Sequence, residues 1–191
     1  MEDAESDRCE DAVNETSQVI FFDPNEGEFS QWHPAKCNLD GIEFNCAEQL
    51  MMYAKAKLFG DDQVASIILK STDPKKQKEL GRRVRNFDPS VWTDHCEGIV
   101  KLANFLKFTQ NADLQKKLLL TEGKTLALAT KLDAFWGIGL SEKDKDASLK
   151  SKWRGLNKLG NVLMEIRDEL LEEERDKKEI EKLYESYQNS T

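Results

Sequence analysis

Asn45-Cys46-Ala47-Glu48-Gln49-Leu50-Met51-Met52-Tyr53-Ala54-Lys55-Ala56-Lys57-Leu58 is where the chain changes its hydrophobic period. Ala47, Leu50, Met51, Ala54 and Leu58 recur at helical spacing, and Gly60 supplies a stop. N-terminal to this stretch the signals are extended. Val19-Ile20-Phe21-Phe22 reads as a strand ended by Asp23-Pro24-Asn25 and Gly27. Asn38-Leu39-Asp40-Gly41 reads as a turn between short extended pieces, with Ile42 and Phe44 on one face. C-terminal to it the signals are helical. Asp61 can cap a helix carrying Val64, Ile67 and Ile68, and Asp73-Pro74 opens another that runs to about Asn86. Asp88-Pro89 opens a longer one with a stripe of Trp92, Cys96, Ile99, Ala103 and Leu106, and Asn111 or Asp113 begins a fifth. Residues 124–130 fit strand or helix equally, Ser141 to Lys152 is a polar loop, and a last helix starts at Gly160 with Val162, Leu163, Ile166 and Leu170. The pattern predicts one mainly helical α+β domain with a small sheet over residues 17–171. It is flanked by a disordered acidic arm (1–16) and a charged helical extension (172–191).

Composition narrows the function classes. The 191 residues carry a net charge of −8, but about −6 falls in residues 1–15 and −5 in 165–191, leaving the middle at about +3. That balance argues against a stable complex with long nucleic acid held through many phosphates, and it permits a local pocket for an anion. No apolar run approaches the roughly 20 residues of a membrane span. The first residues, Met1-Glu2-Asp3-Ala4-Glu5, do not read as a secretory leader. Cys9, Cys37, Cys46 and Cys96 are scattered without a CxxC pair, and His33 and His95 are the only histidines. Reduced thiols in the cytoplasm or nucleus, with neither a metal site nor a cofactor, are therefore expected. Oligomeric state is not legible.

Four clusters can carry chemistry. Glu48 lies in the opening turn of the helix that follows Asn45, where a dipole-favoured capping role competes with a pocket role. Lys55, two turns on along the same face, is either a second pocket group or part of an exposed stripe. Gly81-Arg82-Arg83-Val84-Arg85 suits helix-end carbonyls or a phosphate. Trp92 opens an apolar stripe, so core packing is its default role. Trp136-Gly137-Ile138-Gly139 is no dinucleotide or P-loop motif, but a Trp flanked by glycines suits close approach of a planar ligand. Asn157 and Gly160, in Gly155-Leu156-Asn157-Lys158-Leu159-Gly160, could equally be an N-cap and a turn glycine.

Taken in order, Phe29-Ser30-Gln31-Trp32, Ala47-Glu48-Gln49 with Lys55, Gly81-Arg82, Trp92, Trp136-Gly137-Ile138-Gly139 and Gly155 to Gly160 resemble the motifs of the NADAR family, over about residues 19–171. Its bacterial members include the YbiA-like N-glycosidases. The resemblance implies hydrolysis of an N-glycosidic bond at a ribose anomeric carbon, without metal or cofactor. It implies as substrate ADP-ribose on guanine, in nucleoside or nucleic acid, or else phosphoribosylamino-pyrimidine intermediates of riboflavin synthesis. By the same resemblance Glu48 is the catalytic carboxylate with Lys55 beside it. Ser30, Gln31, Arg82, Trp92, Trp136, Gly137, Gly139, Asn157 and Gly160 are then substrate-binding. Ile138 stands where some relatives have Asp, and Asp133 is the alternative for any task of that Asp. A non-catalytic ADP-ribose or NAD-binding module, or an adaptor working through the charged C-terminal helix, are the competing expectations.

Overall fold

The computed structural model describes residues 18–188; the acidic arm expected over 1–16 lies outside them. Strand β1 (Val19–Phe22) is followed by a hairpin of β2 (Cys37–Leu39) and β3 (Ile42–Phe44). Five helices then run in succession: α1 (Ala47–Leu58), α2 (Asp62–Lys70), α3 (Pro74–Gly81), α4 (Pro89–Thr109) and α5 (Ala112–Leu119). Strand β4 (Thr125–Leu128), a long loop and α6 (Lys158–Gln188) complete the chain. The architecture is mainly helical α+β, and the single small sheet expected from sequence is two separate pairs.

The hairpin β2–β3 turns through Asp40 (φ 51°) and Gly41 (φ 83°), the two left-handed positions that a two-residue turn of this kind requires. β1 pairs in parallel with β4, Val19 opposite Thr125 and Phe22 opposite Leu128. A parallel pair needs a crossover, and here α1 to α5 form it. β4 is buried along its whole length, which explains why its apolar run carried no alternation that could tell strand from helix. Its unpaired edge is satisfied by a side chain: Leu128 N donates to Asn157 Oδ1 at 3.0 Å, and Asn157 Nδ2 donates to Leu126 O at 2.8 Å.

Around this pair the buried faces of α1, α4, α5 and α6 close one core, including Phe22, Met51, Val100, Phe108, Leu118, Leu126, Leu163 and Ile166. The caps expected from sequence are in place: Asp61, Asp73 and Asp88 each accept a backbone N–H at the start of their helix. Two boundaries differ from expectation. α3 stops at Gly81 with Arg82 as its C-cap, five residues short of the Asn86 turn (φ 55°), and α6 starts at Lys158, two residues before Gly160. Gly81 also permits close packing, since a Cβ there would lie 2.0 Å from Met52 Sδ. This contact presses α3 against α1. No described helix is long and apolar enough to cross a membrane.

Candidate active site

Glu48 settles the question its position posed. It does not cap α1, whose N-cap Cys46 makes no side-chain hydrogen bond. Its carboxyl is 3% exposed, and Oε1 meets no hydrogen-bond partner among the described residues. Burial of a carboxyl favours its neutral form. Accordingly, burial pushes Glu48 above the usual carboxylate range, opposed by Lys78, by a hydrogen bond from Trp32 and by Arg82. A carboxylate in this state is costly to keep ionised and correspondingly strong toward a cation brought next to it.

Glu48 lines a cleft of about 390 Å³. One wall is α3 and its C-cap, where Lys75, Lys78, Glu79 and Arg82 recur at three and four residues and so share a face. The opposite wall is the end of β4 and the following loop, with Thr130, Leu132, Asp133 and Trp136. The floor carries Gln31 and Trp32. Asp133 shapes its own wall: Oδ1 accepts the backbone N–H groups of Phe135 and Trp136 at 3.1 and 2.9 Å, turning the indole toward the cleft. Trp136 is braced edge-to-face on Phe135, with ring centroids 5.0 Å apart.

The floor is held from beneath. Glu48 N donates to Gln31 O at 3.0 Å. Gln31 Oε1 accepts from Asn104 Nδ2 at 3.1 Å, and Ser30 O accepts from Lys107 Nζ at 2.7 Å. Lys107 is wholly buried, and that burial brings its amine down to about 7.

Of the residues singled out from sequence, the cleft brings together Glu48, Gln31, Arg82 and Trp136. The others do not line it. Lys55, expected to share a pocket with Glu48, is not among the lining residues. Seven residues along α1 is a rise of about 10 Å, and its ammonium sits over the rings of Phe87 and Trp92, 4.2 and 5.1 Å from their centroids. Trp92 packs against the core instead of forming a cleft wall. Ser30 is fully buried and ties its own loop, donating to Pro24 O and accepting from Trp32 N. Asn157 clamps β4 as described. Gly137, Gly139 and Gly160 allow close backbone approach: a Cβ would lie 2.6 Å from Thr130, 2.9 Å from Arg154 and 2.2 Å from Leu126 O respectively. Arg85 is committed to Asp61 through two side-chain nitrogens, Nε and Nη2, which holds that carboxyl well below its usual range. Sequence reasoning missed Lys75, Lys78 and Glu79 as site residues; their i, i+3, i+4 relation to Arg82 was visible, but the face of α3 that turned inward was not. Trp32, quoted as part of a motif, was given no role. Among the described residues no group of three or more His, Cys, Asp or Glu could hold a metal ion.

A mainly helical α+β domain with one buried carboxylate in a cleft lined by lysines, an arginine, acidic residues and two tryptophans defines the class, a small helical α+β protein with a small-molecule-sized site. The family is settled by comparison: the model of the NADAR domain matches residues 20–171, and the chain belongs to that family. It is 45% identical over 166 residues to N-glycosidase R617 of Acanthamoeba polyphaga mimivirus, covering 81% of this chain and 98% of that protein. It is 28% identical over 162 residues to the riboflavin biosynthesis protein VVA0006 of Vibrio vulnificus, covering 83% of this chain and 40% of that one. The NMR structure of the E. coli protein YbiA superposes with a TM-score of 0.68 at 26% identity, covering 83% of this chain and 88% of that chain.

Proposed function

We propose that the protein is an N-glycosidase, a hydrolase acting on N-glycosyl compounds, that removes ADP-ribose from ADP-ribosylated guanine in nucleoside or nucleic acid. The observation that carries this reading is the buried Glu48 carboxyl with its unpartnered oxygen, set in a cleft with Lys78 and Arg82. Breaking a bond between ribose C1 and nitrogen places positive charge on C1 and the ring oxygen. A carboxylate facing that carbon stabilises the charge and takes a proton from the attacking water. The C1–N electron pair leaves with the base, the water oxygen bonds C1, and the proton gained by the departing nitrogen balances the one given up by water. Lys78 and Arg82 hold phosphate and thereby fix the ribose over Glu48. Trp32 on the floor and Trp136 on the wall line the cleft with apolar surface that limits access of water.

The test is incubation of the protein with ADP-ribosylated guanosine and mass spectrometry of the products. Release of guanosine is expected, and Glu48→Gln should lower the rate by about 10²-fold or more with the fold intact. Saturable binding without bond cleavage would leave only a binding module. Similarity to a riboflavin biosynthesis protein favours a second reading, in which the substrate is a phosphoribosylamino-pyrimidine; the same assay run on that compound decides between them.

A further inference from the structure

Gln77 is the one uncharged polar side chain of α3, and it is fully buried. A buried amide costs stability unless its two donor hydrogens and its carbonyl oxygen are satisfied. Gln77 meets that demand against the start of α1 and the end of α2. Its Nε2 donates to Ser71 O at 2.7 Å and to Asn45 Oδ1 at 3.1 Å, and its Oε1 accepts from Cys46 Sγ at 3.3 Å. The orientation of the amide is fixed, because Ser71 O is a carbonyl and can only accept. Burial raises the Cys46 thiol to about 11, so it keeps the proton that it donates. Gln49 Nε2 and Asn45 Nδ2 reach the same Ser71 carbonyl, at 2.9 and 3.2 Å, and close the junction of the three helices.

We propose that Gln77 is a positioning residue for the reaction: it clips α3 to the start of α1 and thereby sets the separation between the Lys78 ammonium and the Glu48 carboxyl. The inference rests on the N-glycosidase reading for the task of Glu48, and on the hydrogen bonds above for the clip itself. The two ends of the clip are chain neighbours of the two charges. Cys46 lies two residues before Glu48, and Gln77 lies directly before Lys78. Gln77 and Gly81 are four residues apart and so share a face of α3. Gly81 abuts Met52 of α1, which makes two points of attachment along that face, one polar and one apolar. Lys78 and Arg82 each follow an attachment point by one residue, about 100° round the helix, and both line the cleft. Lys78 Nζ sits 6.0 Å from the centroid of the Trp32 ring, and Trp32 hydrogen-bonds Glu48.

Burial favours the neutral form of Glu48, and Lys78 is the largest influence opposing it, followed by Trp32 and Arg82. The other charged groups lining the cleft are Lys75 and Glu79 from α3 and Asp133 from the loop after β4. Cys46 couples to Glu48 and to Lys107 of α4. The clip acts on Lys78 first, since that lysine is next to it in the chain, whereas Arg82 follows the Gly81 contact. Attraction between charges weakens with distance. Release of Gln77 therefore lets Lys78 draw away, and the carboxyl holds its proton to a higher pH.

The test is the titration of Glu48 itself in the full chain, followed by the NMR signal of its carboxyl carbon in isotope-labelled glutamate and assigned by its loss in Glu48→Gln. Gln77→Met keeps a similar length but has neither the donors nor the carbonyl of the amide. It should shift the titration to higher pH, in the same direction as Lys78→Met and by less. In the Lys78→Met background the same substitution should add nothing, because the two act through one interaction. A residue that only stabilised the fold would lower the thermal midpoint and leave the titration in place. That result, or an equal shift in both backgrounds, would overturn the proposal. Should Gln77→Met not fold, Asn45→Ala removes one arm of the clip, keeps the bonds of Gln77 to Ser71 and Cys46, and is judged by the same two outcomes. Turnover separates the clip from the function. A Gln77-dependent titration without cleavage of ADP-ribosylated guanosine keeps the clip and removes the enzyme. Cleavage whose acid limb is the same in wild type and Gln77→Met keeps the enzyme and removes the clip.

Discussion

At the scale of single residues, the site depends on ionisable groups that the fold holds away from their usual state. Glu48 carries a raised pKa, with burial as the leading cause and Lys78 as the largest opposing influence. A carboxyl whose folded pKa is raised contributes stability below its unfolded value and loses it as pH rises through the folded value. Ionised Glu48 is therefore a cost at neutral pH, and Glu48→Gln should melt no lower than wild type there while losing turnover. Since catalysis needs the ionised form, activity falls on the acid side as Glu48 protonates. Removing the lysine in Lys78→Met lets that protonation occur at higher pH, so the acid limb of the kcat profile should shift upward, which a pH series on both proteins measures. Lys107 has the opposite character. Its folded amine is depressed from 10.5 to about 7 by burial, with Cys46, Glu28 and Cys37 facing it. Stability should thus be lost as pH falls toward 7 and gained as it rises, at up to about 1.4 kcal/mol per pH unit. Burial raises the Cys46 thiol to about 11, which offsets the trend above the ordinary thiol range, so the window is pH 7 to 8.5. Urea midpoints should rise across it for wild type and stay flatter for Lys107→Met. Ser30 O keeps a second donor in His33 N, and that variant should fold.

At the scale of elements, legibility followed the range of the interactions. Helix starts at Asp61, Asp73 and Asp88 were readable because a cap satisfies donors two or three residues away. The Asp40-Gly41 turn was readable for the same reason. The strand character of Thr125–Leu128 was not, because its partner β1 lies about a hundred residues earlier and its other edge is satisfied by Asn157. Asn157 itself looked like a cap or a ligand group. Its left-handed backbone (φ 51°) and its two hydrogen bonds to β4 instead make it a one-residue substitute for a neighbouring strand. Asn157→Ala strands a buried N–H and a buried C=O on β4, so a loss of about 2–3 kcal/mol is expected. Because β4 runs directly into the Thr130–Trp136 wall, KM should rise along with the drop in thermal midpoint. A stable Asn157→Ala protein with a raised KM alone would instead mean that the side chain reaches the ligand.

For the whole molecule, the site sits where α1, α3, the Gln31–Trp32 floor and the loop after β4 converge, and α6 reaches it only through its first turns, with Leu159 in the lining. What the sequence could show was the carboxylate, the arginine and the tryptophan as residue types in order; which helix face closed the cleft was set by packing at Gly81 against Met52, a contact between helices that periodicity alone does not encode. The distal half of α6 is a different matter. Beyond Leu171 most described side chains are exposed, Ile180, Leu183 and Tyr184 among them at 64–65%, and one tie back to the domain is the surface pair of Arg175 with Glu122. An exposed ion pair contributes about 0–1 kcal/mol. Core residues Val162, Leu163, Ile166 and Leu170 all precede it. Truncation after Leu171 should therefore leave kcat/KM within about twofold and the melting temperature only a few degrees lower, by the usual relation for chains of this size. Activity and melting of the shortened chain beside the full one measure both. A collapse of turnover at an unchanged melting temperature would mean that the projecting helix takes part in holding substrate, and that the cleft described here is incomplete without it.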